Sequence, residues 1–320
     1  MRFQKAVITF VVLMFLFSGC AAFPEKASSA PASADTQPAG PGEPARVDGI
    51  PMDERTAVIT DSIADIYAQP DIQVERITQA LYNQPVTILD EKSGWARVAV
   101  VDGSRGWIRT RYLDKNVSSI YGRASNHRIV VTSKEKSIFS SPANGYTVKD
   151  VPMGAEFLTF NNYGEAYEVY LPGNRTGWLR GSGIIHIALD EEVPVTTKMD
   201  FVATALKFKG TSFLLNGLST MGMDASGLVY ISARVNGVDL SRNLAGQYLA
   251  GTSVEIEDAA EGDLVFLAAD SDPETPSCVG ICIGDGSYIY SGKLNGYVTV
   301  CGLKEENREG KIIAVKRIFT

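Results

Sequence analysis

The hydrophobic pattern divides the chain into stretches of different period. Residues 6–17 are a solid apolar run behind Arg2 and Lys5, and residues 21–45 are small residues and Pro with almost nothing to bury. From residue 57 to 114, short β-rich runs (A-V-I-T, A-D-I-Y, P-V-T-I-L, W-A-R-V-A-V-V, G-W-I) alternate with turn signals at Gly94, Asp102-Gly103 and Gly106. Strands at that spacing predict a small all-β barrel. A diverged copy of the pattern runs over residues 127–187, marked by S-I-F-S-S-P, E-V-Y-L-P-G and G-W-L. A barrel this small needs its neighbours for stability. Trp95, Trp107 and Trp178 read as barrel core or rim, and the barrels are expected to present surfaces without doing chemistry.

Beyond residue 196 the period changes. Phe201, Val202, Ala205, Leu206 and Lys209 form one helical stripe. Residues 223–231, M-D-A-S-G-L-V-Y-I, predict a helix entered at Asp224, and Ser241 is placed as the N-cap of a helix through Ala250. Strands are then predicted at 263–267, 277–284, 287–291, 297–301 and 312–315. Helices followed by an antiparallel meander make an α+β domain.

Composition narrows the classes of partner. The 320 residues carry 30 Lys+Arg against 37 Asp+Glu, a formal charge of −7, which argues against a nucleic-acid partner. Four Cys without a C-x-x-C pair make neither a disulfide scaffold nor a zinc site, and no metal or cofactor is expected. No apolar stretch of 18 residues follows the N-terminal run, so no internal membrane span is expected. Cys278 and Cys282 lie four apart on one strand face, roughly 13 Å, too far for a mutual disulfide.

The N-terminus has the layout of a secretory signal, and its ending L-F-S-G-C resembles a bacterial lipobox, with Phe17 where that pattern prefers a smaller aliphatic residue. The resemblance implies cleavage before Cys20 and acylation of that Cys. The expected organisation is a signal peptide at 1–19 and a lipidated, Pro/Ala/Ser-rich tether at 20–52, holding the folded part at the cell envelope. In a Gram-negative cell, the anchor implies the outer membrane facing the periplasm.

T-Q-A-L-Y-N-Q-P-V (78–86), G-W-A-R-V (94–98), D-G-S-R-G-W-I (102–108) and Tyr112-Leu113 resemble a bacterial SH3-like domain, placed at 53–116 with a second copy at 124–190. Residues 196–320 resemble the NlpC family of cell-wall cysteine peptidases, with a papain-like α+β core. That resemblance rests on D-A-S-G-L-V, G-D-L-V-F, V-G-I-C-I-G-D-G and the hydrophobic ending. It implies cleavage of γ-D-glutamyl bonds to a diamino acid in peptidoglycan stem peptides. The family's nucleophile is a Cys at a helix start, where the helix and an adjacent imidazole lower the thiol pKa.

This chain departs from that pattern. Ala225 stands where the family has its Cys, Cys278 where it has the base His, and Tyr290 where the third member falls. The Y-x-W-G-G before the helix reads F-L-L-N-G at 213–217, and both histidines, His127 and His186, fall in the second barrel. Removing such a nucleophile costs on the order of 10⁶ in turnover. Asp224 and Ser226 match the motif and are expected either to bind the free amine end of a stem peptide or to cap the helix. Arg242 is open between groove and solvent, and Asp263 and Gly262 are read as structural.

The resulting expectation is a non-catalytic, lipid-anchored binder of stem peptides or muropeptides, or a scaffold for an envelope protein partner. The alternatives are an active endopeptidase with an atypical catalytic set and a structural lipoprotein with a filled groove.

Overall fold

The structure is a computed structural model that describes residues 46–319. The signal, Cys20 and most of the tether lie outside the described residues. A short hairpin, β1 (Arg46–Val47) and β2 (Ile50–Pro51), leads into the first barrel. That barrel holds β3 (Thr56–Ile59), β4 (Ile63–Tyr67), β5 (Arg76–Leu81), β6 (Pro85–Lys92), β7 (Trp95–Val100), β8 (Arg105–Arg109) and β9 (Leu113–Asp114). The second holds β10 (His127–Val131), β11 (Glu135–Phe139), β12 (Thr147–Pro152), β13 (Glu156–Tyr163), β14 (Ala166–Leu171), β15 (Arg175–Arg180) and β16 (Ile184–Ala188). The strand orders are β5-β4-β8-β7-β6-β3-β9 and β12-β11-β15-β14-β13-β10-β16, so every strand of the first has its counterpart seven strands on. The diverged copy keeps the whole connectivity.

The G-W pair common to both copies is a packing requirement. A Cβ on Gly106 would lie 2.6 Å from the Tyr67 carbonyl oxygen and 2.7 Å from Ile66 Cγ2, and one on Gly177 would lie 2.5 Å from Ile138 Cγ2. Only glycine lets β8 cross β4, and β15 cross β11, at that separation. The following Trp107 and Trp178 then pair in register with Tyr67 and Phe139 and are half-buried. Trp95 is core, edge-on to Tyr67 with the Arg109 guanidinium 4.1 Å from its ring.

The third domain begins with α1 (Lys198–Leu206), closed by a reciprocal cap between Thr197 and Asp200. Phe201, Val202 and Ala205 are buried as the stripe predicts, but Leu206 is exposed and Phe208, just past the helix, is buried instead. Two short strands, β17 (Leu218–Ser219) and β18 (Gly222–Met223), precede α2 (Ala225–Arg234). Residues 225–233 of α2 are all buried, so it is the central helix of the domain. Next come α3 (Leu244–Leu249), β19 (Thr252–Val254), β20 (Leu264–Ala268), β21 (Cys278–Gly284), β22 (Ser287–Gly292), β23 (Tyr297–Gly302) and β24 (Lys311–Arg317).

The expected fold class, two small β domains followed by an α+β domain with an antiparallel sheet, is the one observed. Two details differ. The sheet order is β19-β24-β20-β21-β22-β23, so the last strand leaves the meander and returns beside β20. The cap of α3 is Asn243, whose side chain accepts from Gly246 N at 2.8 Å, while Ser241 Oγ accepts from Asn243 N at 3.4 Å. Ser241 therefore belongs to the turn before the helix.

The domains share cores. Leu81 of the first barrel and Val130, Met153 and Ile187 of the second belong to the same buried cluster as α1, α2 and the third-domain sheet. Tyr82, at the end of β5, is fully buried in the second barrel's core, 6.0 Å from Phe157. Gly154 sits at the junction with φ +84°, and a Cβ there would meet Ile231 Cδ1 of α2 at 2.7 Å. The C-terminal end of α2 is held by charge. Arg234 Nη2 donates to Asp48 at 3.0 Å and Glu156 at 2.8 Å, and Glu156 also accepts from Arg128 at 2.5 Å.

Arg234→Ala leaves two half-buried carboxylates without that partner and is expected to cost about 2 kcal/mol in urea unfolding. A change within about 0.5 kcal/mol of wild type, the range of an ordinary surface substitution, would contradict this role.

Candidate ligand-binding site

The start of α2 is organised by one carboxylate. Asp224 is its N-cap, with Oδ1 accepting from Gly227 N at 2.6 Å and Oδ2 from Asn216 N at 3.0 Å. Arg242 Nη1 donates to Asp224 Oδ1 at 3.2 Å and to Ser226 Oγ at 2.9 Å, and Arg242 Nη2 donates to the Gly217 carbonyl at 3.1 Å. The Ser226 hydroxyl in turn donates to Asp224 Oδ1 at 3.3 Å. All three side chains are buried. Gly227 completes the arrangement, because a Cβ there would lie 2.2 Å from the Gly217 oxygen. Asp224 does cap the helix, with both carboxylate oxygens engaged, and Asp224 and Ser226 also line the cavity at the helix start. Arg242, open in sequence between groove and solvent, lines the cavity and is the buried counter-ion of that carboxylate.

Asp224, Ala225, Ser226 and Cys278 line one cavity of about 1140 Å³. Tyr290 does not line it; the cavity-lining tyrosine is Tyr288, two residues earlier and on the same face of β22. Tyr290 OH donates to Asn307 Oδ1 at 3.2 Å and accepts from Asn295, while Asn307 Nδ2 donates to Tyr288 OH at 2.6 Å. Asn307, from the β23–β24 loop, thus bridges two phenols. Burial pushes the Tyr290 phenol up to about 12 and the Tyr288 phenol higher still, so both are neutral donors and acceptors near pH 7.

Cys278 is the one cysteine in the cavity wall and is buried. Its thiol is pushed far above the ordinary range by desolvation first, then by the negative charges of Glu309 and Asp224. Among the described residues its thiol makes one hydrogen bond, a weak one to the Val279 carbonyl 3.9 Å away. No imidazole stands beside it. His127 and His186 stack on each other at 4.7 Å in the second barrel, and neither lines the cavity. Cys278, Cys282 and Cys301 are all free thiols. Among the described residues, no cluster of three or more His, Cys, Asp or Glu is arranged to hold a metal ion. Asp263 has the expected structural duty, with a buried carboxylate paired to Arg317 at 2.8 Å.

Part of the wall comes from another domain. Ile77 and Ser104 of the first barrel line the cavity, and the barrel is fixed there by Arg76 donating to the Leu215 carbonyl and by Gln79 accepting from Leu218 N, both at 3.0 Å. The expectation that the barrels only present surfaces missed this role. The sequence carried one usable sign, an unusual Arg-x-x-Gln on β5 with polar groups on a barrel strand.

Residues 210–317 match the NlpC/P60 family, and residues 63–114 match the family of bacterial SH3 domains. The chain carries an NlpC/P60 domain. It is similar to a Gamma-D-glutamyl-L-lysine dipeptidyl-peptidase of Bacillus cereus, 26% identical over 71% of this chain and 70% of that protein. It is also similar to a protein of the same name from Bacillus subtilis, 25% identical over 84% of this chain and 86% of that protein. A crystal structure of an NlpC/P60 family protein from Bacillus cereus has the same fold, with a TM-score of 0.73, 22% identity, and coverage of 82% of this chain and 99% of that one. The cavity therefore lies at the NlpC/P60 domain, with the start of α2 at its floor.

The thiols of this domain should react unequally. At pH 8, iodoacetamide is expected to modify half-buried Cys301 first and Cys278 on the order of 100-fold more slowly than a free thiol, as its raised pKa and burial require. Mass spectrometry of peptides after timed alkylation reads this out, and rapid labelling of Cys278 in the folded protein would contradict it.

Proposed function

We propose that this protein is a non-catalytic receptor for peptidoglycan stem peptides or muropeptides, tethered to the cell envelope through an acylated Cys20. The observation that carries the reading is the cavity floor, where the first residue of α2 presents a methyl group and the facing thiol is buried without a base. A methyl group cannot attack an amide. The Ser226 hydroxyl is no substitute, since it accepts from Arg242 and donates to a carboxylate already engaged by that same cation. The open volume supports binding over a filled, purely structural groove. The same face, or the barrels, would serve an envelope protein partner.

The names of the relatives favour a second reading, a working endopeptidase that uses Cys278. Against it stands the state of that thiol: a nucleophile needs a thiolate, and burial with two nearby carboxylates opposes one.

Titration calorimetry and mass spectrometry on one sample separate the readings. With a γ-D-glutamyl tetrapeptide, wild type is expected to give a binding heat and an intact ligand after prolonged incubation. Ala225→Phe, which fills the cavity floor from the first helical position, should weaken binding at least about tenfold, with the melting temperature measured alongside because the new ring also presses on a buried position. Cleavage that disappears in Cys278→Ala would replace this reading with the second.

A further inference from the structure

The second barrel brings together the two histidines of the chain, far from the cavity floor. In the ladder between β10 and β16, His127 stands opposite Ala188 and His186 opposite Ile129, so both rings lie on one face and meet on the diagonal. Their centroids are 4.7 Å apart and their planes 27° apart, and the Tyr167 ring of β14 lies 4.7 Å from His186. Both imidazoles are exposed, and among the described residues neither is in an ion pair.

The neighbouring elements offer the pair no counter-charge. Arg128, next on β10, points to the opposite face, where it donates to Glu156 and to the Glu191 carbonyl. The Glu191 carboxylate accepts from Ala188 N at 3.2 Å, β13 sets the uncharged Thr159 opposite His127, and β14 contributes the Tyr167 phenol. Burial lowers the pKa of His186 first, the charge of His127 lowers it further, and no carboxylate offsets either.

β16 has two attachments. It is the end strand of its sheet and is hydrogen-bonded there to β10 alone. Ile184, on the histidine face, packs on the core of the second barrel, while Ile185 and Ile187 pack into the cluster shared with α1 and α2. Loosening this ladder therefore acts on the seam between the second barrel and the third domain.

We propose that the His127–His186 stack is an acid-sensitive latch on β16. With at most one proton on the pair the rings pack; with two, like charges face each other across the ladder and favour its opening. At the 4.7 Å separation of the rings, that repulsion disfavours the doubly charged pair about fourfold even in water. The opened ladder, with its rings apart, takes up the second proton more readily than the closed one. Closure is therefore complete above the ordinary imidazole value of about 6.5 and weakens as the pH falls below it. The latch is independent of what the cavity binds.

Hydrogen exchange read by mass spectrometry at pH 7.5 and 5.0, corrected for the intrinsic pH dependence of exchange, tests this in wild type, His127→Gln and His186→Gln. Wild-type peptides spanning residues 127–131 and 184–188 are expected to open about fourfold more at pH 5.0, and both variants to lose that dependence. Because the chain has two histidines, proton NMR follows each ring directly: His186 should titrate below the ordinary value and move up in His127→Gln. Both positions are exposed, so the melting temperature at pH 7.5 controls for folding. Unchanged protection of β16 in wild type, a pH dependence that persists in both variants, or a His186 titration indifferent to His127→Gln would overturn the latch.

Discussion

The geometry of the site depends on the ion pair between Asp224 and Arg242. One carboxylate closes the N-terminus of the central helix, ties down the preceding loop through Asn216 N, and neutralises a guanidinium that is itself bound to the Gly217 carbonyl. Loop, helix and counter-ion meet within a space that admits no side chain at Gly227. Breaking a buried pair of this kind leaves an uncompensated charge in the site.

The same observation explains which parts of the D-A-S-G motif this chain shares with the cysteine peptidases it resembles. Asp224 caps and braces, Ser226 bonds to both members of the pair, and Gly227 permits the close approach. Each is required for the helix to start where it does. The remaining position, Ala225, has no hydrogen bond in the brace; its methyl group is buried at the edge of the domain's hydrophobic cluster and lines the cavity. Cys278, at the start of β21, fills a buried slot as a small apolar side chain does.

Much of this was readable before any coordinates. The two barrels, the central helix entered at Asp224 and the terminal strands all follow from short-range signals: alternation, turn residues and caps. The G-W pairs in particular encode one close strand crossing twice. What sequence reasoning missed is long-range. Arg242 looks like a surface residue in L-S-R-N, and only the fold places it against a carboxylate 18 positions earlier. Tyr290 and Tyr288 share one strand face, so periodicity could not say which would reach the cavity. Asn307, and the wall supplied by Ile77 and Ser104, are likewise products of tertiary contact. Leu206 and Phe208 show the same limit on a smaller scale, since the chain leaves the helix just where the stripe would have continued.

The central claim is that the cavity lacks both a nucleophile and a base. The most direct measurement is cleavage of a γ-D-glutamyl peptide, followed by mass spectrometry, in Ala225→Cys and in Ala225→Cys/Cys278→His beside wild type. The account predicts an intact peptide with wild type and with the single variant, because a thiol without an imidazole keeps its proton, and first turnover only in the double variant. Turnover by wild type, or by Ala225→Cys alone, would contradict it.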